Sequence, residues 1–173
     1  MNTAPLGRRA AAVVLDYLVI VVWIVVVVLA GLAIRAVWPD AGATMFGSPL
    51  AAELSGFVSL TLPVTLYFAL TEASGRRASL GKRRMRLQVV TVPEGGRLSP
   101  RRSLLRSAVK FLPWELAHAS IWQFAFAGAD SGVLPIALLT ASWVLVLANV
   151  GAAVFAPQHR AVHDLVAGSV VVG

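Results

Sequence analysis

The sequence predicts an all-α integral membrane protein, a four-transmembrane-helix bundle with a basic cytoplasmic loop that contains a short β-hairpin and an amphipathic helix. Composition is the first observation behind this prediction. Of the 173 residues, 58% are hydrophobic and 13% are charged, whereas soluble domains are about 45–50% apolar and about 25% charged. The second observation is that long uncharged segments recur, with most of the positive charge between two of them. A single membrane domain over residues 1–173 follows.

The first two apolar segments are long enough to cross a bilayer as helices. Each contains 18 consecutive residues without an acidic or basic side chain, which is about 27 Å of helix and close to the thickness of the hydrocarbon core. We predict spans over about residues 10–36 and 52–72. Pro63 should kink the second span, and Thr61 and Thr65 could satisfy the backbone groups that it frees.

The third segment is ambiguous and the fourth is not. Residues 104–128 contain several ionisable side chains and Pro113, so this segment alone could be a helix on the membrane surface. Residues 133–156 read as a plain span. We count the third segment as a crossing over residues 108–128, broken at Pro113 and tilted. The alternative is three crossings and a surface helix, with the C-terminus outside.

Positive charge predicts the orientation. Eleven of the 15 Lys and Arg lie between Arg76 and Lys110. The positive-inside rule places this loop, residues 73–107, in the cytoplasm of a bacterial inner (plasma) membrane. Both termini, including the tail over residues 157–173, should lie on the same side. The charged residues expected on the outer side are Arg35, Asp40, Glu53 and Asp130.

The loop and the tail predict small soluble elements. Residues 85–92 are strand-like, and residues 97–99 could pair back across a turn to close a β-hairpin. Ser99 and Pro100 resemble a helix start, with Ser99 as the cap. In the tail we expect a short surface helix followed by an extended end.

Arg9 and Asp16 are the first candidates for chemistry. They lie seven residues apart, close to two helical turns, so both project from one face about 10 Å apart along the axis. A carboxylate at this depth normally faces a bundle interior and has a partner. It could be a proton or cation site. It could equally be part of a structural ion pair that fixes the first helix against the basic loop.

Two histidine-containing pairs follow. Glu115 and His118 are three residues apart and share a helix face, so they could form a proton relay or a ligand pair, or mark the wet face of an interfacial helix. His159 and His163 have the spacing of two ligands to one metal. Two imidazoles on an exposed segment are more often bystanders, and we predict no metal and no cofactor.

The basic loop predicts contact with anionic lipid headgroups, which attract each nearby Lys or Arg by roughly 1 kcal/mol. Beside membrane spans this is a better interpretation than nucleic-acid binding. No hydrolase elbow, phosphate loop or catalytic carboxylate pair is present, so we predict no enzyme. The side chains assigned to lipid are Arg76, Arg77, Lys82, Arg83, Arg84 and Arg86.

Three ordered motifs resemble the RDD family, small bacterial membrane proteins named for one arginine and two aspartates. The motifs are residues 9–16 (RAAAVVLD), residues 79–83 (SLGKR) with the short strand after them, and residues 163–172 (HDLVAGSVVV). Ser169 stands where the family usually has Thr. The resemblance implies that Arg9, Asp16 and Asp164 are functional, and that Asp164 approaches Arg9 and the basic loop.

Transport is the function that the resemblance implies, since some members are described as sodium–proton antiporters. We therefore expect transport of an ion or small ligand, with Na⁺ or H⁺ as the coupling ion. Four short spans leave little room for a pathway in a monomer, so a homo-oligomer or a partner membrane protein is expected. The alternative is a non-transporting scaffold, or a regulatory or lipid-binding subunit of a larger complex.

Overall fold

The computed structural model describes residues 3–128 and 132–173. It is mostly helical, at 75%, with a small two-stranded sheet. Asp130, which we expected on the outer side, lies outside the described residues. The elements are α1 (Leu6–Val37), α2 (Ala41–Met45), α3 (Pro49–Gly56), α4 (Leu62–Glu72), α5 (Leu80–Arg84), β1 (Gln88–Thr91), α6 (Pro100–Ala127), α7 (Leu134–Phe155), α8 (Val162–Ala167) and β2 (Ser169–Val172).

Three helices in the described part of the chain are long and apolar enough to cross a membrane: Leu6–Val37, Pro49–Glu72 and Leu134–Phe155. They coincide with the first, second and fourth predicted spans. Runs of valine are poor helix formers in water, but inside a bilayer the helix is the conformation that satisfies every backbone group. Hydrophobicity and length therefore decide these three elements.

The second long helix changes its pitch before its proline. A π-helical turn, Phe57–Thr61, joins α3 to α4. Pro63 has no N–H to donate to the carbonyl of Ser59 four residues earlier, and the indole Nε1 of Trp23 donates to that carbonyl instead, at 2.9 Å. The prediction that Thr61 satisfies a freed backbone group is wrong, because its Oγ1 has no hydrogen-bond partner. The freed backbone group is satisfied from α1.

The third segment is one continuous helix, so the predicted break at Pro113 is wrong. As predicted, α6 begins at the Ser99 cap, whose hydroxyl accepts from the Arg102 N–H at 3.3 Å. It then runs through Pro113 without a break and is joined to α7 by two hydroxyl hydrogen bonds. The Ser142 hydroxyl donates to the carbonyl of Pro113 at 2.7 Å, and Ser120 donates to a carbonyl of α7 in the same way.

The predicted hairpin is also wrong. β1 pairs with the C-terminal strand β2 as an antiparallel ladder, from Gln88 opposite Val172 to Thr91 opposite Ser169. Residues 97–99 are not a strand. They are short and lead directly into the helix cap, whereas β2 offers a run of β-branched side chains that suits a strand. Sequence proximity therefore did not select the strand partner.

Both chain ends meet the loop at one end of the molecule, which we call the basic end. Thr3 forms a β-bridge with Val172, and the Ala4 N–H donates to the carbonyl of Val171. Gly168 ends α8 in the left-handed conformation, with φ at 62°, and turns the chain into β2. The expected surface helix is thus packed inward, and a small core forms. Its members are Ala4, Ala12, Leu87, Val89, Leu98 and Val171.

Candidate functional site

Buried charges lie directly beneath this core, and Arg106 of α6 is at their centre. Its guanidinium is buried, with the residue only 2% exposed. Nε and Nη2 donate to Oδ1 of Asp164 at 2.9 and 2.8 Å, and Nη1 donates to Glu72. A planar guanidinium can bind two carboxylates at once, which a lysine cannot do with fixed geometry. Arg106 therefore ties α4, α6 and α8 together.

Asp164 is surrounded by donors. The Ser169 hydroxyl donates to its Oδ1 at 2.9 Å, and Arg9 of α1 lies 3.4 Å from its Oδ2. The Ala161 N–H, at the start of α8, also donates to that oxygen. Burial alone would raise the pKa of Asp164, but the charge of Arg106 and its neighbours outweighs it and holds this pKa well below its usual range.

Asp16 occupies the opposite side of the same region. Its Oδ2 accepts from the Ser79 hydroxyl at 2.6 Å, and its Oδ1 accepts from the Gly81 N–H at 2.8 Å. Lys82 Nζ lies 3.9 Å away. Gly81 is required for this approach, because a Cβ there would collide with the Ala12 carbonyl of α1. The donors complement a carboxylate at this position.

Glu72 joins the two halves. Its Oε1 accepts from Lys82 Nζ at 2.9 Å, and its Oε2 accepts from Arg106. Acidic and basic groups therefore alternate from one side of the bundle to the other. Unpaired, such buried charges would be very costly. We call the following side chains the charge cluster: Asp16, Lys82, Glu72, Arg106, Asp164 and Arg9.

A cavity of about 370 Å³ lies on the side of the charge cluster away from the basic end, between α1, α4, α6 and α7. Its walls are mostly apolar. Asp16 contributes to the wall at one end, so the same carboxylate belongs to the charge cluster and to the cavity. A volume of this size is in the range of small-molecule sites. Its polar and charged lining residues are Asp16, Tyr17, Thr61, Lys110, Ser142, Asn149 and His163.

A known sequence family matches this chain. The sequence model of the RDD family matches residues 3–168, nearly the whole chain. The chain belongs to the RDD family. Comparison with curated proteins and with solved structures finds no match. The RDD signature residues carried over from the motifs, Arg9, Asp16 and Asp164, all lie in the charge cluster, where Arg9 contacts Asp164 directly and Asp16 lies at the far side.

The basic loop contains both exposed and buried basic residues. Arg77 is half-buried and donates to the carbonyl of Gly95 at 3.2 Å. Lys82 is only 7% exposed and pairs with Glu72. The assignment of Lys82 to lipid binding is therefore wrong, because its ammonium is inside the bundle. The side chains from the predicted lipid set that remain exposed are Arg76, Arg83, Arg84 and Arg86.

The structure does not join Glu115 to His118. No hydrogen bond links them; Oε2 of Glu115 is buried without a partner, and the His118 ring packs edge-on against Trp114 at 4.9 Å between centroids. Neither residue lines the cavity. The relay hypothesis therefore has no geometric support from this arrangement.

His163, which we interpreted as lying on an exposed segment, is largely buried, with its side chain 15% exposed. Its Nδ1 lies 3.0 Å from Oδ1 of Asn149, and its Nε2 lies 3.7 Å from Asp164. Burial lowers the pKa of His163 to about 3, with the positive charge of Arg106 adding to the effect, so the ring is neutral and donates to Asn149. Among the described residues no group of three or more His, Asp or Glu could hold a metal ion.

Arg106 and Glu72 were missed as site residues. Each was counted only as a charge at the edge of a span. The signal that could have identified them is their opposite charge and their position within or next to membrane segments, since ionisable side chains there normally pair with one another. Arg106 and Lys110 also lie four residues apart, so they share one helix face. That face required acidic partners, and Glu72 and Asp164 were the candidates nearest the same end.

Proposed function

We propose that this RDD protein transports an ion or a small ligand across a membrane, with Asp16 as the carboxylate that binds and releases a proton or Na⁺. One observation carries the proposal. Asp16 lies in the wall of the cavity and, through Lys82, in the charge cluster. A group with this double position can link occupancy of the cavity to the packing of the basic end.

The link runs through α5. When Asp16 is negatively charged, it accepts from the Ser79 hydroxyl and the Gly81 N–H, and it attracts Lys82. Protonation would remove the ionic attraction and one acceptor, so α5 would be held less firmly against α1. Lys82 also pairs with Glu72, so the change would reach the rest of the charge cluster. Asp164 and the basic loop would then gate the inner mouth.

We propose four crossings, with α6 as the third. The N-terminal residues, β1 and β2 all meet at the basic end. β1 and β2 lie at the same end while α7 between them is long and apolar enough to cross a membrane, which supports a second crossing between the two strands. The two helices available for that are α6 and α7. The density of positive charge supports a cytoplasmic basic end in a bacterial inner membrane.

A non-transporting scaffold or regulatory subunit is the second candidate, and a different observation favours it. The end of α1, residues 28–37, is exposed on all sides. Lipid could surround this segment, but so could a second copy or a partner membrane protein. The exposed arginines of the loop favour lipid contact in the same way. Neither candidate includes an enzymatic activity.

The deciding experiment is flux in liposomes containing the purified protein and a pH-sensitive dye. Sodium, potassium and pH gradients are imposed in turn on wild type, Asp16→Asn and Asp40→Asn. Asp40 is an exposed carboxylate outside the charge cluster, so its variant controls for the loss of one negative charge. Size-exclusion profiles and inserted orientation are measured for all three proteins.

Ion-driven flux in wild type and Asp40→Asn, lost in folded Asp16→Asn, is the expected result. Equal flux in all three would remove Asp16 from the pathway. No flux from correctly inserted wild type would overturn transport and leave the scaffold. A stoichiometric partner retained in mild detergent would then be expected.

A further inference from the structure

Lys110 is a half-buried cation outside the charge cluster. It lies on α6 one turn after Arg106, and its Nζ is 3.5 Å from the centroid of the Phe68 ring. Lys82 contacts the same ring at 5.5 Å but has Glu72 as its partner. Within the described residues no carboxylate lies within 4.0 Å of Lys110 Nζ, and its ammonium makes no hydrogen bond.

The cavity extends from this ammonium along apolar surface. On α1 its lining runs from Val13 to Ile24. These two residues are eleven positions apart, which is about 16 Å along the helix axis. The lining on the other helices includes Phe111, Val146 and Val150. The shape is therefore an elongated apolar space with a cation towards one end.

Thr61 adds a second polar atom without a partner. Its Oγ1 is buried and unbonded, and the residue, 5% exposed, lines the same cavity. A buried hydroxyl normally finds a hydrogen bond, since leaving it unpaired is costly. The π-helical turn places it there at that cost. Thr61 and Lys110 are thus two polar groups without a hydrogen-bond partner among the described residues, in the wall of one mostly apolar cavity.

We propose that the cavity binds a single-chain anionic amphiphile, with an oxyanion headgroup on Lys110 and a hydrocarbon chain along the apolar wall. An anion is favoured because Lys110 has no acidic partner, while the acidic side chain facing the cavity, Asp16, is already supplied with donors. One chain is favoured because about 370 Å³ leaves little space for two.

This site goes beyond the proposed function, because it requires binding at equilibrium and no flux. Its headgroup could be the carboxylate of a fatty acid or the phosphate of a lysolipid, which share the same oxyanion chemistry. Trp114 lines the cavity and provides the signal. Nitroxide-labelled stearate should quench its fluorescence saturably in nanodiscs of zwitterionic lipid, and Trp114→Phe should remove the saturable part.

Competition between labelled stearate and other amphiphiles then determines which headgroup the cavity prefers. Dodecanoate and dodecyl phosphate should displace the labelled stearate, and dodecanol and dodecyltrimethylammonium should not. The stronger of the two anions identifies the natural headgroup class, and either one sustains the proposal. Equal displacement by the alcohol or the ammonium compound would overturn it, because a purely apolar cavity has no preference for negative charge.

Matched variants locate the site. Lys110→Gln should weaken stearate binding by roughly tenfold or more, and Arg101→Gln, which removes an exposed cation from the same helix, should leave it unchanged. Ala117→Phe should fill the cavity and abolish binding while Lys110 remains, with exposed Ala125→Phe as its control. Wild-type affinity in folded Lys110→Gln, or in Ala117→Phe if the first variant does not fold, would overturn the assignment.

Discussion

Arg106 donates two hydrogen bonds to one oxygen of Asp164, at 2.9 and 2.8 Å, across 58 residues of sequence. The pair joins the helix that follows the basic loop to the short helix of the tail. The contact between two signature residues, Arg9 and Asp164, is longer at 3.4 Å and more exposed. The tail is therefore held mainly by an arginine that is not one of the RDD signature residues carried over to this chain.

Replacing Arg106 with methionine should lower the free energy of unfolding by about 3–5 kcal/mol, because Asp164 and Glu72 would remain buried without their common partner. Equilibrium unfolding in mixed micelles with increasing dodecyl sulfate measures the change. Arg101→Met removes an exposed arginine from the same helix and should have little effect. A loss of about 1 kcal/mol or less for Arg106→Met, the size of a surface ion pair, would contradict the central role of Arg106.

Alanine at position 81 should separate α5 from α1. The added methyl group would lie 2.9 Å from the Asp16 backbone nitrogen and closer still to the Ala12 carbonyl. Rigid backbone cannot yield as a flexible side chain can, so we expect a loss of about 1–3 kcal/mol, as for other overpacked sites. Gly75→Ala is the matched control, since its methyl group would meet nothing within 4 Å. Equal unfolding midpoints for the two variants would rule out the close contact.

The long helices were predictable because their signal is local. Uncharged apolar length decides a membrane helix within one segment, and α1 and α7 match the predicted spans within a few residues apart from the N-terminal extension of α1. The Ser99 cap was equally local. The break predicted at Pro113 was wrong, and the hydroxyl that bonds to the Pro113 carbonyl comes from Ser142, 29 residues away. Local sequence does not report a partner on another helix.

The strand pairing and most of the charge cluster could not be predicted, because they depend on contacts between residues that are distant in sequence. β1 looked like half of a hairpin, and nothing near it indicated that its partner would be residues 169–172. For the charge cluster, the contact of Arg9 with Asp164 was expected from the RDD resemblance and not from spacing. Arg106 and Lys82 were interpreted by composition, as loop charge, whereas their depth in the bundle depends on how α5 and α6 pack.

Acid should destabilise the protein through His163 at a higher pH than through Asp164. The folded state keeps this ring neutral, with a pKa of about 3 against the ordinary 6.5. Below pH 6.5 the unfolded chain therefore binds a proton that the folded chain does not. The free energy of unfolding therefore decreases as the pH is lowered. The ordinary pKa of Asp164, 3.8, lies below the window from pH 7.5 to 5.

Unfolding midpoints measured across that window test this. Wild type should lose stability steadily below pH 6.5, and His163→Asn should show a flatter profile. His159→Asn is the control, because it removes a histidine from outside the cavity lining. Parallel profiles for wild type and His163→Asn would contradict burial of a neutral imidazole.

The hydroxyl of Ser169, where the family usually has threonine, should matter for stability. It donates to Asp164 at 2.9 Å and accepts from Arg106 Nε at 3.2 Å, and the residue is fully buried. Ser169→Ala should lower the free energy of unfolding by about 1–3 kcal/mol, because a buried donor and acceptor lose their partner. Ser169→Thr keeps the hydroxyl and adds a β-branched carbon that suits strand β2, so it should remain close to wild type in the same denaturant titration. If alanine and threonine were equally tolerated, the strand and not the hydroxyl would position the tail, and the coupling of β2 to the charge cluster would be refuted.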